Sequence, residues 1–137
     1  MSPLDQLVRL RTWTLEEHRR RLGGLEGIAG QLRAEISRLD ADLEQEKRIA
    51  ATSLECSRAL PAYAAHVRRR RGKIVQSLAE LAEEIERARG EVEAEFQELK
   101  KYEQAARNRR NREHMLQQRR ERIENDEVGI TMFRRRR

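Results

Sequence analysis

From Leu15 onward an apolar residue recurs every seventh position: Leu15, Leu22, Ala29, Ile36, Leu43 and Ala50. Three residues further on lie companions at Leu25, Leu32 and Leu39, with His18 and Glu46 as polar intruders in that row. The same frame continues through Leu78, Ile85, Val92, Leu99 and Ala106, accompanied by Ile74, Leu81, Ala88 and Tyr102. A 3.5-residue apolar repeat held this long describes helices wound into a left-handed coiled coil, not a disordered chain. Composition agrees. Charged residues make up 39% and aromatics only 4% of the chain, at a mean hydropathy of −0.95. That is too little large apolar surface for a compact globule, and it suits long exposed helices.

The frame weakens once, around Ser57-Arg58-Ala59-Leu60-Pro61. Proline inside a helix loses a hydrogen bond and clashes with the preceding turn, whereas it is well placed in a first turn. The expected architecture is therefore all-α: a helix over about 3–57, a turn at about 58–61, and a second helix over about 61–125, folded as a long antiparallel two-helix coiled-coil hairpin. A kinked single helix in a parallel dimer is the alternative. Pro3 suits the start of the first helix, and Ser2 with Asp5 has the spacing of a capping box.

A turn at Pro61 pairs Leu25 with Val92, Leu32 with Ile85, Ile36 with Leu81, Leu39 with Leu78 and Leu43 with Ile74. It also sets Glu46 opposite Arg71 and Ala29 opposite Ala88. A register shifted by one heptad remains open. In this pairing Leu4 falls opposite Glu113, so the second helix is expected to overhang beyond about residue 114. Its core positions there turn charged (Glu113, Arg120, Glu127), while Met115, Leu116 and Ile123 stay apolar among Arg119 and Arg120. A narrow apolar stripe on an arginine-rich helix without an intrachain partner points to binding.

Charge falls in blocks. Residues 1–60 are balanced, and residues 61–73 carry Arg68, Arg69, Arg70, Arg71 and Lys73 with no acidic residue. Residues 74–104 are net acidic, 105–123 net basic, and Arg134 to Arg137 close the chain. Such clusters attract acidic proteins, nucleic acid or anionic headgroups, or simply form a solvated face.

Catalytic signatures are missing, so no enzyme, cofactor, metal or small-molecule substrate is expected. His18, His66 and His114 lie far apart, and Cys56 has no neighbouring ligand set. The run Gly23-Gly24-Leu25-Glu26-Gly27-Ile28-Ala29-Gly30 follows no strand and precedes no phosphate-binding Lys-Ser. Its glycines fall on the outward side of the heptad wheel, as a weak point in the helix or a smooth surface for a partner. Trp13 also faces outward and is the first choice for a contact on helix one. Val128 to Phe133 reads as part of a mobile basic tail over about 128–137. No spanning helix and no signal peptide are expected, which suits a reducing cytoplasm.

With these residues in view, the chain resembles the FliJ family of the flagellar type III export apparatus over nearly its whole length. The resemblance rests on Leu7-Val8-Arg9-Leu10-Arg11 followed by Trp13, on Tyr63 and Val67, on the charged heptads through Leu99, and on the Asp126-Glu127 pair. It implies a non-enzymatic stalk like the central shaft of rotary ATPases. The end with both termini would enter and stimulate the hexameric export ATPase, and the turn end would reach the membrane export-gate protein. Export chaperones would be further partners.

Carried over, Asp126 and Glu127 join Trp13, Met115, Leu116, Arg119, Arg120 and Ile123 at the ring end. Tyr63 and Val67 join Arg68, Arg69, Arg70 and Arg71 at the gate end. The basic run departs from the family's usual pattern and shifts that contact toward electrostatics. The implied localisation is cytoplasmic, peripheral to the inner-membrane apparatus, with membrane association only through partners and a monomer when alone. The physical demands agree: a 50-residue helix spans roughly 75 Å. The rivals are the equivalent stalk of a virulence secretion system and a basic nucleic-acid-binding or scaffold coiled coil. The shortage of aromatic stacking platforms disfavours nucleic acid.

Overall fold

A computed structural model describes residues 2–136 and contains two helices, α1 (Pro3–Ala50) and α2 (Leu54–Arg135), with no strand among the described residues. The N-terminus of α1 is closed by the expected capping box. The Asp5 amide donates to Ser2 Oγ at 3.2 Å, while the Asp5 carboxylate accepts from the Ser2 hydroxyl at 2.9 Å and the Ser2 amide at 3.3 Å.

The turn is where the structure departs from the sequence-based expectation. It lies at residues 51–53, not 58–61, and α2 begins at Leu54. The cause is capping chemistry. Ser53 precedes α2 as its N-cap, its Oγ accepting the Cys56 amide at 3.4 Å and its carbonyl accepting the Ser57 amide at 3.0 Å. Glu55 follows in the first turn of α2, and Lys47 and Arg48 occupy the last turn of α1, each suited to the helix dipole there.

Pro61 then lies inside α2. Its missing N–H leaves the Ser57 carbonyl without a helical donor, at a cost of about 3 kcal/mol. Ser57 is exposed, so water reaches that carbonyl. The early start also gains burial, since Cys56, Leu60 and Tyr63 become half-buried seam residues. The C-terminal boundary moves as well. α2 continues through Val128–Phe133 to Arg135, where the helix was expected to end at about 125 with a mobile basic tail over about 128–137, and Arg137 lies outside the described residues.

Two compact units divide the chain: residues 16–94, and the residues up to Leu15 together with those from Glu95 on. The first unit is a helical hairpin. Ala29, Ala50, Val67, Ile74, Ile85 and Ala88 are buried in its seam, and Leu22, Leu25, Leu32, Ile36, Leu39, Leu43, Leu78, Leu81 and Val92 are half-buried there. These are the heptad positions. The helices are antiparallel, because partners descend along α2 as they ascend α1: His18 with Glu91, Glu26 with Arg89, Glu35 with Arg70.

The earlier turn changes the register. Arg71 was expected opposite Glu46, but its Nε donates to Asp40 at 3.1 Å, and Arg70 donates twice to Glu35, at 3.0 and 2.7 Å. The pairing is displaced by about one heptad from the register that a turn at Pro61 dictates. Exposed pairs of this kind each contribute about 0–1 kcal/mol, so they select the register more than they stabilise the hairpin.

In the other unit Leu15, Leu99 and Ala106 are buried, while Leu4, Val8, Phe96 and Tyr102 are half-buried. Burial ends at Ala106. Every described residue from Arg107 to Arg136 is exposed.

Candidate partner-binding surfaces

Three groups of residues stand apart from the apolar seam. The first occupies α2 after the turn. Val67, expected as a gate contact, is 2% exposed and is the most enclosed large side chain described, so it packs the seam and cannot present itself to a partner. Tyr63 is half-buried. Arg70 and Arg71 are held by Glu35 and Asp40. Arg68 and Arg69 are exposed and form no ion pair among the described residues. The expected basic cluster is thus split, half of it neutralised across the hairpin and half facing solvent.

The second group is a polar cluster in the unit that holds Arg11. One Arg11 nitrogen, Nη1, donates to Glu95 Oε2 at 3.4 Å, and the guanidinium carbon lies 5.5 Å from the centre of the Tyr102 ring. Arg11 Nε is buried without a partner. Desolvation opposes the charge, but the interactions with Tyr102 and Glu95 outweigh it and hold Arg11 more firmly protonated than an ordinary arginine. Sequence reasoning did not single out this cluster, although the signal was present. Counting back seven from His18 gives Arg11, and counting on seven from Ala88 gives Glu95. In the other unit His18 Nδ1 lies 3.3 Å from Glu91, to which Arg21 also extends at 3.8 Å.

The third group is the exposed stretch of α2. Met115, Leu116, Arg119, Arg120, Ile123, Asp126 and Glu127 all lie on it and all face solvent. Leu116, Ile123 and Ile130 recur at sevens and continue one of the two core positions, while Glu113, Arg120 and Glu127 fill the other with charge. The result is half a seam, one apolar row where a coiled coil needs two. Met115, Leu116 and Arg119 border one open depression, and Asp126, Ile130 and Phe133 border another. Intrahelical pairs support the backbone here: Arg109 with Glu113 at 3.2 Å, and Gln118 with His114 at 3.1 Å.

Trp13 is 62% exposed on α1, and no ring contact involves it among the described residues. It shares a unit with the exposed stretch, and both face solvent.

Among the described residues no three His, Cys, Asp or Glu side chains gather as a metal site, and no helix is long and apolar enough to cross a membrane. No curated protein and no solved structure matches the chain. A family model described as the flagellar FliJ protein does match, over residues 1–137. Two long helices built on one heptad frame suit such a component, and the chain belongs to the FliJ family of flagellar type III export components.

Proposed function

We propose that this protein is a non-enzymatic stalk that binds and stimulates the hexameric export ATPase through an overhanging end of α2. The observation that supports this reading is the half-seam after Ala106: a continuous helix whose one apolar row is at least half exposed at Leu116, Ile123 and Ile130. Leu116 and Ile123 supply apolar anchors for a ring, Arg119, Arg120, Asp126 and Glu127 supply charge of both signs, and Trp13 is a further anchor from α1. ATP chemistry belongs to the ring, so the stalk needs no catalytic group.

At the turn end, the contact with the membrane export gate is electrostatic and falls to Arg68 and Arg69, with Tyr63 beside them. Export chaperones are further partners, and the site of action is the cytoplasmic face of the export apparatus.

The deciding experiment is ATPase stimulation of the cognate hexamer. Full-length protein raises turnover, and truncation after Arg112 abolishes the effect while the remaining residues keep their helicity. Stimulation undiminished by that truncation would refute the assignment of the ring contact to α2. The same truncation leaves binding to the isolated gate protein unchanged, whereas Arg68→Glu with Arg69→Glu weakens it.

A further inference from the structure

The acid-free run of α2 contains a second feature, which the stalk reading uses only at Arg69. Between Glu55 and Glu80 there is no acidic residue. At 100° per residue, Leu54, Arg58, Ala62, Ala65, Arg69 and Lys73 fall within about 100° of arc on one side of the helix. That side is opposite Leu60, Val67, Ile74 and Leu78, which line the seam. Five of the six are exposed, and Ala65 is half-buried. Arg58, Arg69 and Lys73 form no ion pair among the described residues, in contrast to Arg70 and Arg71, which pair across the hairpin. Leu54, at the turn end of this face, is 69% exposed.

We propose that this outward face of α2 binds the headgroup surface of an anionic lipid bilayer directly. It goes beyond the stalk reading, since no protein partner enters it. From Arg58 to Lys73 the face is a row of three cations with no carboxylate among them; Glu55 shares its arc only at the turn end, beside Leu54, and the row suits a flat, diffusely charged surface better than a shaped pocket. Ala62 and Ala65 between the cations are small, so the long Arg and Lys stems can lie along the helix while their heads reach the phosphates. Leu54 adds one apolar side chain beside the turn, enough to dip among headgroups and too little to insert the helix. Nucleic acid fits less well because no aromatic side chain lies on the face to stack a base.

The test uses the full chain and vesicles of phosphatidylcholine alone or with about 30% phosphatidylglycerol. Co-sedimentation with the anionic vesicles at low salt, release at about 0.5 M salt and no binding to the neutral ones are expected. The triple variant Arg58→Gln, Arg69→Gln, Lys73→Gln weakens binding by about a hundredfold, taking each basic residue near the surface as roughly fivefold. Its circular dichroism stays unchanged, because the three side chains are exposed and make no ion pair.

Arg119→Gln, Arg120→Gln, Arg122→Gln removes equal charge from the C-terminal stretch and changes binding by less than about threefold. A nitroxide attached at position 62, through Ala62→Cys in a Cys56→Ser background, loses access to a water-borne relaxation agent when anionic vesicles are added, and this reading depends on no charge variant. The proposal falls if the C-terminal triple costs as much as the first. It falls equally if the label at position 62 is unaffected, if neutral vesicles bind as well, or if duplex RNA binds more tightly than anionic vesicles at the same salt. None of these measurements involves the ATPase, so failure here and failure of the stalk reading are separable.

Discussion

Up to Ala106 the helices bury or half-bury their heptad positions, whereas α2 from Arg107 to Arg135 is exposed at every residue, although its backbone is equally helical. The same type of helix is thus held in two different ways. Near the seam, burial of Leu15, Val67, Ile74, Ile85 and Leu99 fixes the helices. Beyond Ala106 only intrinsic propensity and pairs such as Arg109 with Glu113 remain, and these contribute only tenths of a kcal/mol each. The apolar row of that stretch is left exposed.

The sharpest way to break that comparison is to truncate side chains on both sides of it. Ile74→Ala removes a side chain only 3% exposed and is expected to lower the unfolding free energy by about 2 to 5 kcal/mol. Leu116→Ala and Ile123→Ala, on half-exposed side chains, are expected to change it by less than about 0.5 kcal/mol. Urea unfolding followed by circular dichroism reads both. A loss of about 2 kcal/mol at Leu116 would mean that the stretch is packed in solution, by a second copy or by α1.

How much of this was legible in the sequence differs between the same two regions. The seam could be read almost residue by residue, because a seven-residue period is a direct record of which face is buried. Val67 shows how a resemblance can mislead where the period does not. Counting back seven from Ile74 places Val67 in the seam, yet its family counterpart suggested a surface contact. The turn was misread because Pro61 is a louder signal than Ser53. Proline's penalty is about 3 kcal/mol, but it applies to a single exposed carbonyl, while the cap at Ser53 and the heptads before Pro61 act together. The pairing register followed the turn into error. For the exposed stretch, sequence indicated the apolar row and its missing companion, but a row without a partner carries no record of what covers it.

Next in size is the polar cluster at Arg11, which interrupts the seam from within. Arg11→Leu removes the unpartnered Nε and restores an apolar heptad position, and is expected to raise the thermal unfolding midpoint. Arg11→Ala, which leaves Glu95 and Tyr102 without their cation and opens a gap, is expected to lower it. If both substitutions destabilise equally, Arg11 is a structural anchor, and its charge is more than a tolerated intruder.

A comparable gain is available on the exposed side of α1. An added Cβ at Gly27 meets nothing within 4 Å, and the backbone there has no positive φ. Gly27→Ala should therefore stabilise α1 by up to about 1 kcal/mol through helix propensity alone. Amide exchange across residues 23–30 should slow accordingly. No slowing would mean that this glycine-rich segment is already as rigid as its neighbours, and that exposure and weakness do not coincide on α1 as they do on α2.

The smallest effect concerns the end of α1, where the helix depends on a cap and not on burial. Hydrogen bonds from the Ser2 hydroxyl and amide hold the Asp5 carboxyl below its ordinary pKa. A depressed carboxylate contributes its stabilisation above the unfolded-state pKa and loses it as pH falls through the lower folded value. Between neutral pH and the ordinary carboxylate range the first turn should therefore be unchanged, and below that range it should fray as Asp5 takes up its proton. Amide exchange at residues 5–8, corrected for intrinsic rates, would report this, and Asp5→Asn should fray equally at every pH. Since the seam between Leu15 and Ala106 contains no such capping carboxylate, its unfolding midpoint should move much less than the exchange at this end. If the two moved together, the cap and the seam would be one cooperative unit, and packing near Leu4 and Val8 would be holding the first turn in place of Ser2 and Asp5.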